Sequence, residues 1–201
     1  PVAVSFETFA KYQADEAWTW ERLALTRARV VAGPAALRAR VEGVIQAALT
    51  KPRDKAQIVA DVADMRGRLD RERPARSPWD LKEAKGGLFD VEFIVQGLQL
   101  VHGVLNVNTL GVLAAFAERK VLGEDDVQAL TEAARLYLNV TQVLRLTVDG
   151  PFNPAEASSS LQALIARVAG FGLFEDVERA LSGIELDTRA RFARLIAPVP
   201  A

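Results

Sequence analysis

Between Leu88 and Val101 the chain is apolar except along one narrow stripe. Glu92, Gln96 and Gln99 recur at helical spacing, while Leu88, Phe89, Val91, Phe93, Ile94, Val95, Leu98, Leu100 and Val101 cover the rest of the circumference. A helix that is apolar almost all round is central, so other elements must wrap it. The surrounding segments read as helices too. Helix formers dominate, β-branched runs are short, and none alternates with polar residues for long enough to argue a sheet. The expected fold is all-α, a multi-helix bundle with mostly short connections.

Chain breakers divide the bundle. A first helix is expected from about Phe6 to Val31, stopping before Gly33-Pro34. A second follows from Pro34 to Thr50, and Asp54 can cap a third that reaches Leu69. Residues 70–86, with Pro74 and Pro78, form a long connection where two sub-bundles would join. After Gly86-Gly87 comes the central helix to His102, then a short one capped by Asn108 or Thr109 and ending near Lys120. A leucine-rich helix from Glu124 to Val148 ends at the break Asp149-Gly150-Pro151-Phe152-Asn153-Pro154. Ser158 to Ala169 and Glu175 to Ile196 complete the set, with Gly183 a place for a kink.

Composition excludes several functions. Cysteine is absent, which rules out disulfides and thiolate metal sites and fits a reducing, cytoplasmic setting. His102 is the only histidine, so neither a His-based metal site nor a Ser-His-Asp triad can be assembled; it reads as an ordinary residue near a helix C-terminus, where its cationic form would suit the dipole. The net charge of −1 attracts neither nucleic acid nor an anionic membrane. The basic run from Lys51 to Arg76 is interleaved with acids and lacks aromatic platforms, so it reads as a solvated helix end and loop. No stretch approaches the ~18 apolar residues of a membrane span. The chain opens on Pro1, as expected of an excised piece of a longer protein.

Placed by angle, Asp15, Arg22, Thr26 and Arg29 share one solvated helical face. Trp18, Trp20, Leu23, Ala24, Leu25, Val30 and Val31 form the apolar remainder, interrupted by Glu21 and Arg27. Those two charges need partners or a crevice. Arg27 has two destinations: a buried carboxylate such as Glu92, or phosphates and acidic groups of another domain. Asp90 lies in the first turn of the central helix, where exposed N–H groups favour a carboxylate. Gly86-Gly87 reads as helix entry with close backbone packing, against the weaker alternative of a phosphate cradle. Asp90 and Glu92 point about 200° apart and cannot together hold a metal. Asp61 and Asp64 read as surface charges.

These segments also carry a family pattern. Ala17-Trp18-Thr19-Trp20-Glu21 followed by Ala24-Leu25-Thr26-Arg27-Ala28-Arg29 resembles the stretch after the second nucleotidyltransferase core of bacterial glutamine-synthetase adenylyltransferase. Asp80-Leu81-Lys82, then Gly86-Gly87-Leu88-Phe89-Asp90-Val91-Glu92-Phe93 with Gln96, is similar to that family's other hallmark; Pro52-Arg53-Asp54 and Met65-Arg66 match the intervening pattern. From Val104 onward the likeness rests on position. The resemblance implies that residues 1–33 form a helix continuing from an upstream nucleotidyltransferase core and that 34–201 form a C-terminal helical bundle. It marks Trp18, Trp20, Glu21, Arg27, Arg29, Asp80, Lys82, Gly86, Gly87, Asp90, Glu92 and Gln96 as motif residues.

It further implies a parent enzyme with two such cores, each followed by a helical domain. One half transfers AMP from ATP to a tyrosine of glutamine synthetase; the other removes it by phosphorolysis, and PII signalling protein and glutamine set the balance. The family's catalytic signature is a Gly-Ser turn followed by paired aspartates that bind Mg²⁺, and this chain has no Gly-Ser pair. Catalytic residues, a metal and a cofactor are therefore expected in the parent and not in this chain. Its expected partners are its own core, glutamine synthetase and PII. The alternatives are a regulatory module for PII or glutamine, and a structural helical scaffold.

Overall fold

The computed structural model describes residues 3–196, so the first two residues and the end of the expected bundle, 197–201, lie outside the described residues. Among those described there are nine α-helices and no strand: α1 Phe6–Lys11, α2 Thr19–Leu25, α3 Ala35–Thr50, α4 Lys55–Glu72, α5 Leu88–His102, α6 Thr109–Glu118, α7 Glu124–Thr147, α8 Ser159–Ala169 and α9 Phe174–Leu195. No helix among them is long and apolar enough to cross a membrane.

The expected stops and starts have local chemistry. Asp54, Asn108 and Ser158 each accept a hydrogen bond from a first-turn backbone N–H, at 2.9, 3.1 and 3.3 Å. Helix α5 packs against α2, α3, α4, α6, α7 and α9, as its all-round apolarity requires. Val91, Ile94 and Val95 on α5 are sealed in the same core as Val62 of α4 and Leu130, Ala134 and Tyr137 of α7. The buried apolar side chains on both sides of the 73–87 connection form one contiguous cluster. Trp79 pins that connection down: its ring stacks on Phe174 at 5.3 Å and meets Phe152 edge-on at 4.7 Å. Helix α9 runs unbroken through Gly183.

The first expected helix is corrected. After α1 the chain widens into one π-type turn, Tyr12–Glu16, closed by Ala17 N–H donating to Tyr12 O at 2.9 Å. Trp18 is extended, so the chain stops and restarts there as α2, and residues 29–32 have no regular structure. The 100° spacing does not carry through such a break. Trp18 and Trp20 consequently stand out in solvent at 70% and 56% exposure, not in an apolar arc. Thr26, expected on the solvated face, is buried and donates its hydroxyl to Leu23 O at 2.6 Å.

Candidate functional site

The motif residues from Asp80 to Asp90 build one device. Residues 80–84 fold into a turn, with Glu83 and Ala84 N–H both donating to Asp80 O at 2.9 Å. That turn aims its carbonyls inward. Leu81 O and Lys82 O accept from Leu88 and Phe89 N–H, at 2.9 and 3.1 Å, which are orphan donors of the first turn of α5. Gly87 N–H donates to Ala84 O at 2.8 Å, and Gly86 N–H to Asp90 Oδ2 at 2.6 Å. Each N–H that a phosphate would need is already bonded. The glycine pair is thus helix entry and not an anion cradle.

Asp90 is fully buried, and its partner is Arg66, itself 1% exposed. Arg66 Nε donates to Asp90 Oδ1, Nη1 to Asp70 Oδ1 at 2.5 Å, and Nη2 to Glu83 O and Ala84 O at 3.1 Å each. Arg189 of α9 closes the group, with Nη1 at 3.3 Å from Asp90 and Nη2 at 3.7 Å from Asp70. Two arginines face two aspartates, so the buried network is neutral and nearly every donor is used. It ties α4, the 80–86 turn, α5 and α9 into one hub. The basic run expected to be a solvated helix end therefore contains the largest fully buried side chain of the described residues.

Gly86 is the hub's centre. Tyr137 of α7 donates its hydroxyl to Gly86 O at 2.9 Å, and burial, with Glu185 and Asp90 nearby, raises the phenol's pKa. Gly86 has φ +86°, and a Cβ there would lie 1.8 Å from Glu185 O of α9. At Gly87 a Cβ would lie 2.6 Å from Leu81 O. Both glycines are required by the approach of neighbouring backbone.

Glu185 turns Oε1 inward with no hydrogen-bond partner, and burial pushes its carboxyl up to about 7 from 4.5. A folded pKa above the unfolded one means stability present below about 4.5 and lost as pH rises through 7. Glu185→Gln should thus leave the melting temperature nearly unchanged at the acid end and raise it above neutrality. An equal shift at both ends would show that the carboxylate is not strained.

The other motif residues lie elsewhere. Glu21 accepts from the Tyr12 hydroxyl at 2.6 and 2.7 Å and from Trp18 N–H at 2.9 Å, which fixes the start of α2. Arg27 reaches Glu92 at 3.2 Å and Thr109 Oγ1 at 2.8 Å. Its side chain is 41% exposed, so the pair is worth about 1 kcal/mol or less and not the loss of a buried partner. Arg29 is exposed, Gln96 buried, and Lys82 Nζ sits 4.8 Å over the Phe89 ring. Asp80 accepts from Arg76 N–H at 2.7 Å. His102 is exposed overall, and partial desolvation of its ring, with Lys55 nearby, lowers its pKa, which disfavours the cationic form expected at a helix end.

Asp61 accepts from Thr19 and Gln57, one on each oxygen, and Asp64 pairs with Arg68 at 2.6 Å. Asp61 thus spends both oxygens, and Asp64 one, on neighbouring side chains. Among the described residues no group of three acids or histidines could hold a metal ion. Arg66, Arg189, Tyr137 and Glu185 were missed as site residues by sequence reasoning. Arg66 alone had a signal, the Met65-Arg66 match.

A family model described as GlnD PII-uridylyltransferase matches residues 56–190, about two thirds of the chain. The chain belongs to the family that this model describes. A second model, described as glutamate-ammonia ligase adenylyltransferase, matches residues 1–44. The bifunctional glutamine synthetase adenylyltransferase/adenylyl-removing enzyme of Rhodopseudomonas palustris strain TIE-1 is 46% identical over 98% of the chain. Those of Bradyrhizobium diazoefficiens and Xanthobacter autotrophicus are 45% and 41% identical over the same share. The resemblance read from the sequence is borne out, and it extends beyond Val104 to the whole chain. The chain spans about a fifth of the length of these relatives, 20% of each. In this chain residues 80–90 join contacts from α4, α5, α7 and α9.

Proposed function

We propose that the chain is the helical accessory domain of a cytoplasmic glutamine-synthetase adenylyltransferase. The parent enzyme transfers AMP from ATP to a tyrosine of glutamine synthetase with Mg²⁺, and removes it by phosphorolysis. Residues 1–33 lead in from the nucleotidyltransferase core, and the bundle from residue 34 onward packs beside that core and helps to present glutamine synthetase. The observation that carries this reading is 46% identity over 98% of the chain to the bifunctional enzyme. The hub fits such a role: it offers a rigid body and no nucleophile–base pair, so chemistry falls to the core.

The test is AMP transfer from labelled ATP to purified glutamine synthetase. A longer polypeptide containing the chain should label it, and the 201-residue chain alone should not. Transfer by the chain alone, or none by the longer polypeptide, would remove the reading. A second reading is favoured by the match of residues 56–190 to a model described as PII-uridylyltransferase: the bundle contacts PII. Calorimetric titration of the chain with PII, and with glutamine, separates it from the first.

A further inference from the structure

Helix α2 is used on two sides. Leu23 and Leu25 are buried, and the helix packs against α3, α4 and α5. On the opposite side Trp18 and Trp20, two of the three tryptophans, project into solvent beside a cleft lined by Thr19, Asp61, Asp64 and Arg68. Exposed indoles on a loose segment would need no explanation. These are held in place. The Glu21 carboxylate accepts Trp18 N–H and the Tyr12 hydroxyl, and the Thr19 hydroxyl between the two tryptophans is fastened to Asp61. Polar groups are thus committed to keeping two large apolar rings outward, which is the character of a docking face.

Three observations say what covers it. Residues 1–44, which carry both tryptophans, match the adenylyltransferase model, whereas the bundle at 56–190 matches a different one. The relatives hold about four fifths of their length outside the matched region. In the cleft Arg68 offsets Asp64, and the remaining carboxylate, Asp61, is held by Thr19 and Gln57, so the face carries little net charge. It offers instead apolar rings with indole N–H donors. We propose that the Trp18–Trp20 ledge is the seat of the adenylyltransferase core in the longer polypeptide, an apolar surface with acceptors for the indole N–H groups. This rests on the function proposed above and adds the surface through which the two units meet.

Hydroxyl-radical footprinting read by mass spectrometry tests it without any substitution. In the 201-residue chain, Trp18 and Trp20 should oxidise rapidly, as should Leu146 and Leu186, which are 83% and 75% exposed, while Trp79 at 8% should be slow. In a longer polypeptide that includes the core, Trp18 and Trp20 should slow several-fold toward the Trp79 rate, with Leu146 and Leu186 unchanged. Undiminished oxidation of both tryptophans there would overturn the proposal. So would protection that appears in the chain alone and grows with concentration, since the occupant would then be a second copy. AMP transfer measured on the same preparation separates the two ideas. An active polypeptide with exposed tryptophans removes the ledge and keeps the function. An inactive one with protected tryptophans keeps the ledge and removes the function.

Discussion

Arg66→Ala is expected to cost about 3–5 kcal/mol of folding stability, the usual loss when one member of a buried ion pair is removed. Asp90 would stay fully buried, with Oδ2 still held by Gly86 N–H and Arg189 but Oδ1 stripped of its donor. Two further acceptors, Glu83 O and Ala84 O, would lose their donor as well. For a chain of this size the melting temperature should fall by roughly 6–20 °C. Arg66→Lys should recover little, because a single ammonium cannot span Asp90, Asp70 and two carbonyls as the guanidinium fork does. Thermal unfolding followed by circular dichroism reads both variants. A drop of about 1 kcal/mol or less for Arg66→Ala would mean that the network is solvated and does not hold the hub.

Gly86→Ala is expected to be comparably damaging, for a backbone reason. At φ +86° an L-residue costs about 1–2 kcal/mol, and the added methyl would meet Glu185 O at 1.8 Å. The obstacle is helical backbone, which cannot swing aside as a side chain could, so about 1–3 kcal/mol of overpacking adds to the strain. A matched control lies on the same helix as the obstacle. Gly183, exposed within α9, has nothing within 4 Å of the place a Cβ would occupy, and Gly183→Ala should stabilise the helix by up to about 1 kcal/mol. If Gly86→Ala melts like the unsubstituted chain while Gly183→Ala raises the midpoint, the close approach of α9 to Gly86 is not rigid.

The stripe Glu92-Gln96-Gln99 made α5 legible as the central helix, and caps at Asp54, Asn108 and Ser158 marked three helix starts. The Arg27–Glu92 contact was foreseen as one of two destinations, because Arg27 had to find an acid. Its shallow burial was not foreseeable, since exposure depends on how α2 and α5 pack. The break at Trp18 escaped as well. Nothing in Ala17-Trp18-Thr19 forbids helix, and a π-type turn is chosen by small differences in local packing.

Sequence alone determined the features that rest on period and local chemistry. It set the all-α class and the place of α5, because these depend on residues near one another in the chain. Only the tertiary structure decided the hub. Arg66, Asp90, Tyr137 and Arg189 come from four helices, and their meeting depends on which faces pack. It likewise decided that Trp18 and Trp20 face outward. A single broken turn rotates everything after it, and no periodicity survives that rotation.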